Sequence, residues 1–189
     1  MSVVGKIRGL RGARSWQRTE VTGDLNHGAC RGPGSFILEL RDQGGCQVDQ
    51  DAIPMLEIVE AYRTAVLAKD VDTFVRLYDE DVCVFDMWGQ WSYRGVEAWR
   101  GMVTGWFGSL GDESVAVSFE DVQASLNGDF ALLHAKVTYK NISTDGRELH
   151  AMPNRLTWAL RRVAGGWKIV HEHTPAPVDF ETLKVIPQI

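Results

Sequence analysis

Three groups able to titrate, ligate or hydrogen-bond stand side by side near the end of the chain: His171, Glu172 and His173, in GGWKIVHEHTPAP (165–177). A glycine turn opens the stretch and two prolines close it, the punctuation of a final β-strand. Strict alternation puts Trp167, Ile169, His171 and His173 on one face, and Lys168, Val170, Glu172 and Thr174 on the other. Two histidines two residues apart on one face could grip a metal. A third ligand would have to come from His134, His150 or Asp86, and no Cys pairing or HExxH spacing supports one. No metal is therefore expected. Acid–base and ligand-binding roles for Glu172, His171 and His173 stand beside a structural or interfacial reading of the histidines.

Other residues could share that work. Asp86, in VFDMW, follows an apolar run. A carboxylate against apolar and aromatic walls has its pKa raised and can take a proton from a carbon acid; the plainer reading is a cap of the next turn. His134, mid-strand in ALLHAKVTY with Thr138 on its face, is a general-base candidate or a core histidine. Arg155 shares a face with Thr157. It would recognise an anion or a carbonyl through its planar fork of donors, or pair with Glu172 across a hairpin. Tyr93 or Tyr139 could join Arg155 in holding a developing oxyanion. Trp88, Trp99 and Trp106 could line an apolar cavity for a flat ligand, or serve only as packing.

The elements that must position these groups begin at Asp51. Ile53, Leu56, Val59, Tyr62, Val66 and Leu67 recur three or four apart, an amphipathic helix. DVDTFVRLYDED reads as a shorter helix capped by Asp70, with Phe74, Leu77 and Tyr78 inward. VCVFDMW (82–88) is a strand and GQWSYRG a turn. VEAWRGMVTGWFGSL (96–110) returns to helical spacing, and Gly101, Gly105 and Gly108 within it predict close packing or a break. Four strands follow, the first two meeting at NGD, a strong hairpin signal. The order is α+β, helices packed on one face of a curved antiparallel sheet.

Residues 1–50 differ in texture: they hold nine of the 19 glycines and one short apolar run, FILEL. They are expected to be disordered or dispensable to the fold, with a single domain at 51–180 and a tail at 181–189. The start, MSVVGKIRGLRGARSWQR, lacks the continuous apolar stretch of a secretory signal. Three cysteines without CxxC spacing imply no disulfide framework, and a cytoplasmic location is the simplest expectation. A net charge of −5 gives no electrostatic case for nucleic acid, and no apolar run approaches the roughly 20 residues that span a bilayer.

LAKDVDTFVRLYDEDVCVFD, YRGVEAWRGMVTGWF and NRLTWALRRVAGGWKIVHEHTPAP, in this order, resemble the SnoaL-like and ketosteroid-isomerase-like branches of the nuclear-transport-factor-2-like superfamily. The ending is also similar to the association domain of calcium/calmodulin-dependent protein kinase. The resemblance implies a cystatin-like cone, a curved sheet wrapped around the N-terminal helices, with a pocket between sheet and helices and a homodimer through the sheet's outer face. It further implies a small apolar organic ligand and cofactor-free acid–base chemistry: isomerisation, cyclisation or dehydration of a carbonyl compound. In that reading Asp86 or His134 is the base. The rival implication is a non-enzymatic ligand-binding or oligomerisation module, and the superfamily's breadth leaves both open.

Overall fold

A computed structural model describes residues 53–186 and the backbone of a short strand at Ser35–Ile37. The expected extension, residues 1–50, otherwise lies outside the described residues, as do the last three of the expected tail. In chain order the elements are β1 (Ser35–Ile37), α1 (Ile53–Ala68), α2 (Val71–Val75), β2 (Tyr78–Phe85), β3 (Tyr93–Arg94) and α3 (Val96–Ser109). Four long strands complete the chain: β4 (Ser114–Asn127), β5 (Phe130–Ile142), β6 (Glu148–Val163) and β7 (Gly166–His173).

The class is α+β, as expected, and the four last strands form the anticipated meander. The sheet order β1-β4-β5-β6-β7-β2-β3 is antiparallel except at β2–β7, which run parallel. That one parallel pair sets the ends of β2 and β7 side by side: Thr174 N–H donates to Phe85 O at 3.0 Å. The β4–β5 turn is Gly128–Asp129, with Gly128 at a φ of +61°, the positive value that such a two-residue turn requires at its first position.

Two local expectations are corrected. The second helix ends at Val75, and Tyr78 begins a strand, because Leu77 O and Tyr78 are drawn into pairing beside Ile169 of β7. The glycines of α3 neither break it nor sit under close packing. The helix is continuous, and a Cβ at Gly101, Gly105 or Gly108 would meet nothing within 4 Å. They lie on its outer side, while Trp99, Val103 and Phe107 face the core.

That core fills the concave side of the sheet beneath the helices. The Tyr62 ring lies 4.8 Å from Phe74, 5.3 Å from Trp158 and 5.7 Å from Phe119. Trp158 is fully buried, and aromatic side chains of that size dominate the apolar area removed from water. Curvature has a local cause in β-bulges. In β4 the register slips between Glu120 and Gln123, with Asp121 at a φ of +51°, so Phe119 and Val122 both turn inward.

A second bulge decides what the last strand presents. Ala159 pairs with His171 and Leu160 with Ile169, leaving Val170 as the extra residue. The alternation anticipated over the whole strand is thereby reset: Ile169, Glu172 and Thr174 are buried together, and His171 and His173 lie on the other side. Without the bulge Ile169 and Glu172 could not both face the core.

Candidate functional site

The parallel β2–β7 seam, α1, α3, the start of β4, the end of β5 and the first half of β6 enclose a cavity of about 640 Å³. Its wall is largely apolar: Trp88, Trp99, Met102, Trp106, Val115 and Met152 line it. Polar groups enter at few points, from Tyr62, Asp86, Tyr139, Asn141, His150, Asn154, Glu172 and Thr174. Such a cavity, apolar with a few placed polar groups, is the ordinary form of a small-molecule site.

Glu172 is the more deeply held of the two carboxyl groups, at 2 % exposure. Its Oε2 accepts the Tyr78 hydroxyl at 2.7 Å and the Trp158 indole N–H at 2.8 Å. Both bonds fall on one oxygen, which leaves Oε1 without a hydrogen bond among the described residues. No lysine or arginine lines the cavity among the described residues. Burial therefore pushes the Glu172 carboxyl up to about 7; the two donors pull it down, and the negative charge of Asp86 pushes it further up.

Asp86 sits where β2 leaves the sheet, and its Oδ1 accepts the Thr174 hydroxyl at 2.8 Å. Burial raises its pKa, while Thr174 and the backbone N–H groups of Met87 and Trp88 counter the shift. The site thus holds two carboxyl groups, both displaced towards neutral pH. Above them the Tyr62 and Tyr139 hydroxyls are hydrogen-bonded to one another at 2.9 Å. Burial raises both phenols, which are neutral donors throughout the working pH range. Trp99 Nε1 is buried without a hydrogen bond of regular geometry, although its indole N–H interacts electrostatically with the Tyr78 hydroxyl.

Of the residues anticipated from sequence, Asp86, Glu172, Trp88, Trp99, Trp106 and Tyr139 meet at this cavity. The others do not. His134 is exposed on the outer face of β5, because Leu133 and Ala135 take the inward positions. Thr138 shares its parity. Arg155 is exposed on the outer side of β6 and does not pair with Glu172, whose cross-strand partner is Trp158; its Nη2 reaches Pro175 O at 3.5 Å. The anticipated convergence of Asp86, His134 and Arg155 is therefore absent. Tyr93 is a core residue, 7 % exposed, whose hydroxyl reaches Trp88 O at 3.4 Å.

Thr157, His171 and His173 belong to the outer face as well. Thr157 is the cross-strand neighbour of both His134 and His173. His171 Nδ1 lies 2.7 Å from Cys83 O, and the rings of His171 and His173 stand edge-on to Phe85, with centroids 5.0 and 5.9 Å away. No cluster of three or more metal-ligating side chains occurs among the described residues.

Five polar members of the site were not anticipated: Tyr62, Tyr78, Asn141, Asn154 and Thr174. Asn154 is held by its own neighbours, Nδ2 on Met87 Sδ at 3.2 Å and Oδ1 on the Arg155 N–H at 2.8 Å. Thr174 shares the parity of Glu172, and that was a readable sign. Tyr78 gave none, since it continues the helical spacing of Phe74.

Comparison with known proteins agrees with this architecture. A structure of an NTF2-like protein of unknown function from Pseudomonas putida has a TM-score of 0.64 and 24% identity, covering 74% of this chain and 97% of that one. A putative calcium/calmodulin-dependent protein kinase II association domain from Xanthomonas campestris gives 0.59 and 14%, covering 72% and 95%. A putative aromatic ring hydroxylase from Novosphingobium aromaticivorans gives 0.55 and 20%, covering 76% and 96%. At these identities the likeness establishes the NTF2-like, cystatin-like fold and nothing finer. No curated protein matches in sequence. The profile of the SnoaL-like domain matches residues 55–179, the whole of the helix–sheet unit that builds the cavity, and the chain belongs to that family.

Proposed function

We propose that the chain is a small-molecule pocket protein that moves a proton on an apolar carbonyl compound without a cofactor, as an isomerase, cyclase or dehydratase would. One observation carries this reading: Glu172, buried and pushed up to about 7, keeps one carboxylate oxygen free in an apolar cavity. A base with that pKa is half ionised near neutrality, the condition under which general acid–base transfer is most efficient. Tyr78 and Trp158 hold its other oxygen and fix its direction. Tyr62 and Tyr139 are neutral hydroxyl donors suited to a developing enolate oxygen. Asp86 is the second carboxyl, able to return the proton at another atom.

The test is exchange of α-protons for deuterium in cyclic ketones incubated with the protein in heavy water, followed by NMR. Exchange well above the buffer rate is expected, with a rate that rises through neutral pH. Exchange at the buffer rate across a panel of enolisable ketones would remove the catalytic reading and leave a binding module.

A second reading concerns the outer face and is compatible with the first. Phe85, Leu132 and Phe130 are 38 %, 49 % and 54 % exposed there, and Phe85 stands against the rings of His171 and His173. The apolar side chains Phe85 and Leu132 favour association of two copies through this face, in a cytoplasmic homodimer, and one similar structure carries the name of a kinase association domain. Sedimentation analysis is expected to show a dimer for the native chain and dissociation for Leu132→Glu. A monomeric native chain at tens of micromolar would refute it.

A further inference from the structure

Beside the cavity lies a second chamber that acid–base chemistry at Glu172 does not use. It measures about 410 Å³ and shares Trp88, Ala151, Met152 and Asn154 with the first as common walls. Its origin is topological. β7 pairs with β6 only from Thr157 onward, so residues 151–155 of β6 have an unpaired edge. Asn154 Oδ1 takes the Arg155 N–H there, and Pro153 has no N–H to offer, so the edge is closed to another strand. The chain after β7 folds back over the gap: Val178 bridges Val185, which seats Pro177, Val185 and Ile186 opposite Met87 and Met152.

The lining of this chamber is apolar with a single charged residue, Arg155. Its guanidinium makes one long contact, to Pro175 O at 3.5 Å, and has no ion-pair partner among the described residues. The two chambers are therefore oppositely polarised: carboxyl groups in the inner one, an uncommitted guanidinium at the edge of the outer one. A fork of donors without an acceptor suits a planar carboxylate.

We infer that the outer chamber is a second ligand subsite, and that the natural ligand is an elongated apolar molecule with a carboxylate end held by Arg155. The inference rests on the acid–base reading only for the ligand's inner end, the reacting carbonyl beside Glu172 and Asp86. Arg155 is a binding residue for the remote end, which explains why it lies away from the carboxyl pair.

Calorimetric titration of the full chain with octanoate, and with octanamide as the neutral control, tests the assignment. Octanoate is expected to bind. Arg155→Gln should weaken octanoate tenfold or more and octanamide less than twofold. Arg155 is exposed, so its variant retains the fold. No binding of octanoate, or equal changes for both probes in Arg155→Gln, would overturn the subsite. Sensitivity to Glu172→Gln with indifference to Arg155→Gln would also overturn it, by placing the carboxylate in the inner chamber. Loss of ketone exchange in Glu172→Gln is a separate readout, so either idea can fail without the other.

Discussion

Glu172→Gln is expected to lower the rate of ketone proton exchange by about 10²- to 10⁴-fold, the usual contribution of a positioned general base, while making the protein more stable at alkaline pH. The two effects have one cause. The free carboxyl of an unfolded chain titrates near 4.5, whereas burial holds Glu172 at about 7 in the fold. Between those values the folded state binds the extra proton, so stability falls as pH rises through this window and levels off above it. The difference of about 2.5 units corresponds to roughly 3 kcal/mol. Glutamine keeps an oxygen that can accept from Tyr78 and Trp158 but has no charge to bury. Denaturant titrations at pH 5 and pH 8 should therefore show the variant gaining on the native chain by up to about 3 kcal/mol at the higher pH. A variant that is less stable at both pH values, with an unchanged exchange rate, would mean that Glu172 is a core acceptor and nothing more.

Trp158→Ala is expected to be the most damaging single truncation, costing about 3–5 kcal/mol in chemical denaturation. Trp158 is fully buried between Tyr62 and Phe119, so its removal leaves a large void in the aromatic cluster. It also deletes the indole donor to Glu172 Oε2. Since total stability of a domain is only about 5–15 kcal/mol, this variant approaches unfolding. Trp158→Phe separates packing from hydrogen bonding. It should fold, and it removes a donor that holds the Glu172 pKa down, so the pH midpoint of exchange should move upward. An unshifted midpoint in Trp158→Phe would show that the indole N–H does not tune the carboxyl.

How far the fold and site could be read in the sequence differs from residue to residue, for physical reasons. Long periodic segments were legible: the heptad-like stripe of α1, the Trp99–Val103–Phe107 face of α3 and the NGD hairpin all reflect local burial patterns. The outward placement of His134 was also legible in principle. Ala131, Leu133, Ala135 and Val137 form one apolar face of β5, and His134 alternates with them beside Lys136. Arg155 likewise alternates with Asn154, Leu156 and Trp158 on β6. Residue chemistry alone made these two look catalytic, and strand parity opposed it.

The end of the last strand was hidden. A bulge at Val170 is fixed by the register of β6 against β7, and no glycine or proline marks it. Strand parity counted from Ile169 therefore puts Glu172 on the outside, and counted from Thr174 puts it within. Tyr78 was hidden for a different reason: a helical spacing from Phe74 continues through it, and only pairing with distant β7 turns that segment into strand. Cross-strand partners decide both cases: Ile169 pairs with Leu160, nine positions back, and with Tyr78, 91 positions back.

A ¹³C NMR titration of the Glu172 side-chain carboxyl carbon decides whether this group is a cavity-facing carboxyl poised near neutrality. Assignment comes from the signal lost in Glu172→Gln. A midpoint close to 7 is the predicted result. A midpoint near 4.5, the ordinary glutamate value, would contradict it: Glu172 would then be fully ionised at neutral pH, and the cavity would lack its acid–base group.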